Sequence, residues 1–168
     1  MRAVSYLQEC HVELRPTFAA VARALTKIEF ELDEHGPPAL TERERIELAV
    51  VLRELIVNAV IHGCLEIGGA WQVEDAAEWE RELERRSSTL PFAARRVRVT
   101  GRYAADFVEY VVSDDGRGFD PARVPNPLDP VSLDRPCGRG LLVVRSTVDS
   151  LEFNEVGNQV RLVKRVRT

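Results

Sequence analysis

From residue 97 onward, β-rich runs come in pairs whose connections are too short for a crossover, and this narrows the open folds more than anything else in the chain. Val97 and Val99 are followed, across Gly101–Asp106, by the run Phe107–Val112. Leu151–Val156 and Gln159–Val166 are joined by Gly157-Asn158. Such spacings predict antiparallel hairpins, with the strongly apolar 107–112 run at the centre of the sheet. The first half reads differently. Residues 3–14 alternate loosely in polarity up to Pro16, as an edge strand does. Phe18, Val21, Ala22, Leu25, Ile28 and Leu32 then recur at helical spacing until Gly36-Pro37-Pro38. Thr41-Glu42-Arg43-Glu44 is a capping box, so a second helix is predicted from Glu42 to His62, stopping at Gly63. Between Gly68 and Ser88, Trp79 and Leu83 stand one turn apart, with Glu74 and Asp75 early and Arg85 and Arg86 late. This segment reads as a short, weakly amphipathic surface helix. Gly138-Arg139-Gly140 opens a last helix over about 141–148. The order predicts an α+β fold, a two-layer sandwich with a mixed, mostly antiparallel sheet and helices gathered on one face.

The length of 168 residues fits a single domain whose core needs no disulfide or structural metal. Cys10, Cys64 and Cys137 lie too far apart in sequence for a paired framework or a CxxC site, which suits a reducing, cytoplasmic setting. A net charge of −4 and a pI near 5.5 disfavour direct nucleic-acid binding or a membrane surface held by bulk charge. The opening MRAVSYLQECHVELRP lacks the apolar stretch of a signal peptide.

Three short segments carry polar groups where chemistry is plausible. Within the apolar helix 42–62, Glu54, Asn58 and His62 recur every four residues and are predicted to share one face; alone, such a row equally describes a solvated edge. Asp114-Asp115-Gly116-Arg117-Gly118 follows directly on the central strand. Its glycines permit close backbone approach, although a plain turn has the same look. A calcium loop is disfavoured because the regular oxygen ligands and the closing Glu are missing. Gly138-Arg139-Gly140 places free amides and a positive dipole end at a helix start. The context of a Rossmann GxGxxG is absent, as is GxxxxGK[ST].

Taken in order, ELIVNAVIHG (54–63), DDGRGFDPA (114–122) and GRGLLVVRSTVDSLEF (138–153) resemble the N, G1 and G2 boxes of the GHKL, or Bergerat-fold, ATPases, over nearly the whole chain. Within that superfamily the chain is similar to the small anti-sigma-factor serine/threonine kinases. The resemblance implies ATP and Mg²⁺ as cofactors. Asn58 would be the metal ligand, Glu54 the general base, and Asp114 the acceptor for the adenine amino group beside Gly116 and Gly118. It also implies an ATP lid over 119–137, and phosphate contacts from Gly138, Arg139, Gly140, Leu141 and Leu142. His62 would either lie near the phosphates or bond carbonyls at its helix end, and Asp115 is read as a bystander. The 68–91 insertion is longer than the compact family pattern, and its Trp71, Trp79 and Leu83 are expected to pack. Asn158 stands where many relatives have a threonine, and would either bond the adenine or serve its turn.

The implied partner is a serine-bearing anti-anti-sigma (STAS) protein, with a sigma factor as a second partner and a homodimer as the expected assembly. The alternative is a nucleotide-gated regulator that binds a partner and transfers nothing. A sensor histidine kinase is disfavoured because no phospho-accepting helix precedes residue 40, and gyrase-like or chaperone-like ATPases because they continue well past the third box.

Overall fold

The computed structural model describes residues 7–68, 76–121 and 139–166. Five strands form one sheet in the order β1-β2-β3-β5-β4, where β1 is Gln8–Leu14, β2 Val97–Tyr103, β3 Phe107–Asp114, β4 Ser150–Phe153 and β5 Gln159–Arg165. Among the described residues every pairing is antiparallel, with no parallel pair to make the sheet mixed. The central place of β3 and the edge place of β1 follow the expectation. β4 stops at Phe153, short of Val156, because Asn154 gathers the chain into a turn. Its Oδ1 accepts from the amides of Gly157, Asn158 and Gln159 at 2.8, 3.1 and 3.2 Å.

Alternation along the strands gives the sheet two unlike faces. Inward, Val97, Val99, Tyr103, Val108, Tyr110, Val112 and Leu162 are buried against Ile28 and Leu32 of α1 (Phe18–His35) and Leu48, Val51, Leu52, Leu55 and Ile56 of α2 (Glu42–Asn58). Gly101 leaves room there for the Tyr103 and Tyr110 rings, whose centroids lie 5.9 Å apart, edge to face. Outward, a row of alternating charge crosses all five strands, from Glu9 through Arg102, Glu109 and Arg161 to Glu152. Glu109 is the one buried charge among the described residues, and it is held between the two arginines. A sheet covered by helices on one face only can carry such a row on the other.

Both long helices begin as their sequences dictate. Thr17 Oγ1 accepts from Ala20 N at the start of α1, and at α2 Thr41 and Glu44 exchange the reciprocal capping bonds. Arg45 ties the two together by donating to the Leu32 carbonyl at 2.7 Å. The end of α2 departs from the prediction. Instead of stopping after His62, the chain widens into a π-turn over Ala59–Cys64, with Leu65 N bonded five residues back to Val60 O at 2.9 Å.

The insertion contributes α3 (Ala76–Ser88), whose Leu83 is buried and whose Trp79 ring packs 6.3 Å from that of Phe18. Trp79 therefore packs as expected, while Trp71 lies outside the described residues. A 3₁₀ turn, Phe92–Ala94, leads into β2. α4 (Arg139–Thr147) starts slightly earlier than predicted and buries Val144. None of the described helices is long and apolar enough to cross a membrane.

Candidate nucleotide site

α2, the end of β3 and the start of α4 bring all three sequence segments together. Glu54 and Asn58 lie one turn apart on a half-buried strip of α2, and Asn58 Nδ2 donates to Glu54 Oε1 at 3.0 Å. That bond fixes the amide, so Asn58 Oδ1 is the lone-pair-bearing end left for a ligand. Glu54 in turn lies against the first turn of α4, where a Cβ on Gly140 would overlap the Glu54 carboxylate. The acid and the helix start thus share one place, and the dipole there favours negative charge.

His62 follows in the π-turn, about one turn past Asn58. Its Nδ1 lies 2.7 Å from the Ile67 carbonyl, to which it must donate. Of the two roles open to His62, the structure displays the carbonyl bond, though to a residue beyond the helix.

The second centre is Asp114. Its Oδ1 accepts from Gly116 N at 2.8 Å, leaving Oδ2 as the remaining acceptor. A Cβ on Gly63 would overlap the Asp114 carboxyl group, and one on Gly116 would overlap the Gly63 carbonyl. Gly63 is therefore more than a helix stop, because its bare backbone forms one wall of the acid's pocket. Burial is the main reason that the Asp114 carboxyl is pushed up to about 6; nearby Asp115 adds to this, while the Gly116 amide and Arg95 oppose it. Asp115 faces away and serves the sheet, accepting from Arg96 N at 2.9 Å and from Arg98 Nη1 at 2.7 Å. Those bonds hold its carboxyl below the usual range, with Arg98 the chief cause.

Gly118, at φ +74°, passes so close to the Val156 carbonyl that no side chain fits, and Gly157, at φ +76°, does the same against Phe119. The Phe119 and Phe153 rings meet edge to face at 5.3 Å. The loop after β3 is thus fastened to the β4–β5 turn. Asn158 belongs to that turn: its Oδ1 accepts from Asn154 Nδ2 at 2.8 Å and its carbonyl accepts from Asp114 N at 2.9 Å. Leu141 lies half-buried in α4. Gly138 and most of the 119–137 segment fall outside the described residues, and the side chains of Arg139 and Leu142 are likewise not described.

Sequence reasoning missed Gly63, Glu66, Arg86 and Arg95. The segment after the π-turn is held by two arginines: Arg95 Nη1 donates to Cys64 O at 2.8 Å, and Arg86 Nη1 to Leu65 O and Glu66 O at 2.7 and 2.9 Å. Glu66, at φ +53°, pairs with Arg95 at 2.8 Å and with Arg117 of the loop after β3 at 3.0 Å. Only the glycine directly after His62 gave any sign of this in the sequence.

The described residues contain no cluster of three or more His, Cys, Asp or Glu side chains fit to hold a metal ion on their own. One carboxamide oxygen beside one carboxylate suits Mg²⁺, which keeps several waters and takes its other oxygens from phosphates. The arrangement has a hard-oxygen and carboxylate end at the start of α4, and a buried hydrogen-bond acceptor at the end of β3.

Comparison with known proteins bears on the fold and the family. No curated protein matches the chain. Among solved structures, the RsbU and RsbW domains of Rv1364c from Mycobacterium tuberculosis share its fold, with a TM-score of 0.54 at 14% identity. That match covers 95% of this chain and 32% of the other, so the chain spans about a third of that protein's length. The model of the histidine kinase-like ATPase domain matches residues 12–164, and the chain belongs to that family.

Proposed function

We propose that this domain binds ATP with Mg²⁺ and transfers the γ-phosphoryl group to a serine or threonine hydroxyl of an anti-anti-sigma (STAS) partner, regulating transcription by partner switching. The observation that carries the reading is the placement of Glu54. Its carboxylate is bonded to Asn58 and packed against Gly140, so a carboxylate and a carboxamide oxygen stand together at a helix N-terminus, which supports a base beside a metal ligand. Asp114, walled by Gly63 and Gly116, offers Oδ2 to an exocyclic amino group such as that of adenine. The resemblance of the three segments 54–63, 114–122 and 138–153 to the anti-sigma-factor kinases supports that class over other ATPases.

Asn58 Oδ1 would hold the Mg²⁺, which when bound neutralises charge on the β- and γ-phosphates. The backbone at the start of α4 orients the phosphates through its free amides. Glu54 accepts the proton of the partner's hydroxyl as that oxygen bonds to the γ-phosphorus. The bond from the γ-phosphorus to the β,γ-bridging oxygen breaks, and ADP carries away the electron pair. Phosphoryl transfer asks little more of a protein than this positioning.

Glu54→Gln keeps the carbonyl oxygen that Asn58 bonds but cannot take a proton. Transfer to a STAS partner, followed with γ-labelled ATP, is expected to fall by about 10²–10⁴-fold while ATP affinity stays within about twofold. Transfer by the variant at the wild-type rate would remove Glu54 from the role of base. Tight ATP binding with no transfer by the wild type to any serine-bearing STAS domain would favour a nucleotide-gated regulator.

A further inference from the structure

The inserted helix α3 is bonded to the segment beside the candidate site through Arg86. Arg86 is largely buried, at 17% side-chain exposure, and its Nη1 bridges the carbonyls of Leu65 and Glu66. Its Nε is anchored to Glu82 one turn back on α3, and its guanidinium lies over the Phe92 ring, 5.3 Å from the centroid. Arg95 lies over the same ring at 5.1 Å and takes the Cys64 carbonyl. Three successive carbonyls, at Cys64, Leu65 and Glu66, are therefore held by two arginines. This is the stretch where the chain turns out of the π-helix through the left-handed Glu66. One residue earlier, Gly63 presses on the Asp114 carboxyl and on Gly116. From there Glu66 reaches across to Arg117 in the loop after β3.

We infer that Arg86 is a positioning residue for the adenine end of the site, so that the insertion is a built-in support for nucleotide recognition rather than a surface appendage. The inference rests on the nucleotide reading above and deepens it. A π-turn has weaker intrinsic preference than an α-helix, and its exit here leaves carbonyls with no helical partner. A planar guanidinium meets both through Nη1 while its Nε stays on Glu82, a two-sided grip that the single nitrogen of an ammonium does not reproduce in that fixed geometry. Without Arg86, the Leu65 and Glu66 carbonyls lose their guanidinium while Arg95 still holds that of Cys64, and the backbone wall at Gly63 loosens against Asp114. Among the described residues Arg86 bonds Glu82, Leu65 and Glu66, so the phosphate end, formed by Glu54, Asn58 and α4, should stay in place.

Two readouts on Arg86→Ala and Arg86→Lys test this. Calorimetry with ATP and with ADP should show both dissociation constants raised by the same factor, about tenfold, in Arg86→Ala, with Arg86→Lys recovering part of the loss. An equal factor places the effect away from the γ-phosphate, the one group in which the two ligands differ. The second readout is alkylation of Cys64 by iodoacetamide, located by peptide mass spectrometry. This thiol is fully buried, and burial pushes it up to about 11, so it reacts only when its segment opens. Labelling should rise at least tenfold in Arg86→Ala and fall back in Arg86→Lys. Unchanged affinities, or a loss confined to ATP, would overturn the positioning role if the wild type binds both nucleotides. A wild type that binds neither would overturn the nucleotide reading and the positioning role together, while Cys64 labelling would still report whether Arg86 closes the segment.

Discussion

Asp114 is where sequence chemistry and local packing pull hardest against each other. A carboxylate walled by glycine backbone carries a desolvation cost that the Gly116 amide and the charge of Arg95 offset only in part. In the unfolded chain the group titrates near its ordinary value of 3.8, and in the folded chain near 6. Between those values the native state holds the extra proton. The ligand-free protein is thus most favoured by this group below the lower value and loses that contribution as pH rises through about 6. The loss is on the order of 1–2 kcal/mol once partial solvent access is allowed for. Asp114→Asn stays neutral throughout and its oxygen can still accept from Gly116. The variant should melt above the wild type at pH 8 and level with it at pH 4, as thermal scans across that range would reveal; a difference independent of pH would remove Asp114 as the cause. The same substitution should weaken ATP binding at least tenfold, because the Nδ2 left facing the adenine amino group is a donor opposed to a donor.

At the scale of elements, α2 and its π-turn divide stability from recognition. Thr41 caps α2 at the end remote from the site, and Thr41→Ala should cost about 1 kcal/mol and lower Tm by about 2–4 °C with ATP affinity unchanged. Gly63→Ala places a methyl group into the Asp114 carboxyl. It should cost at least as much stability and also abolish measurable ATP binding; calorimetry on the two variants side by side checks the contrast, and retained affinity in Gly63→Ala would place the adenine corner elsewhere. The contrast also shows what the sequence could reveal. The hairpins, the capped start of α2 and the Glu54–Asn58 pair all rest on local periodicity, and they stand where they were expected. The π-turn has no period of its own to read, so the bond that His62 makes forward to the Ile67 carbonyl, past the helix, left no mark in the sequence. Arg86 looked like a dipole-complementing residue in the last turn of a surface helix. Its two carbonyl partners lie 20 and 21 positions away, and only the folded chain brings them near.

Across the whole molecule, the two faces of the sheet do separate jobs. The inner face joins α1, α2 and α4 into one core, with the candidate site at the end where β3, the π-turn and α4 meet. The outer face spends its charges on one another, from Glu9 to Glu152. A ligand that bridges Asp114 and Asn58 therefore ties β3 and α4 to α2, and its binding energy becomes stability of the entire core. At a free concentration one hundred times its dissociation constant, Mg·ATP should add about 2.7 kcal/mol, which for a chain of this size is a rise in Tm of about 5–10 °C. The rise should be smaller with ATP and a chelator. Asn58→Ala should abolish the difference that Mg²⁺ makes while leaving the chelated value nearly intact, since the carboxamide oxygen acts only through the metal. An Asn58→Ala protein that keeps the full Mg²⁺ increment would move the metal to another ligand, and Glu54, the nearest remaining oxygen donor on α2, would then have to serve as ligand instead of base.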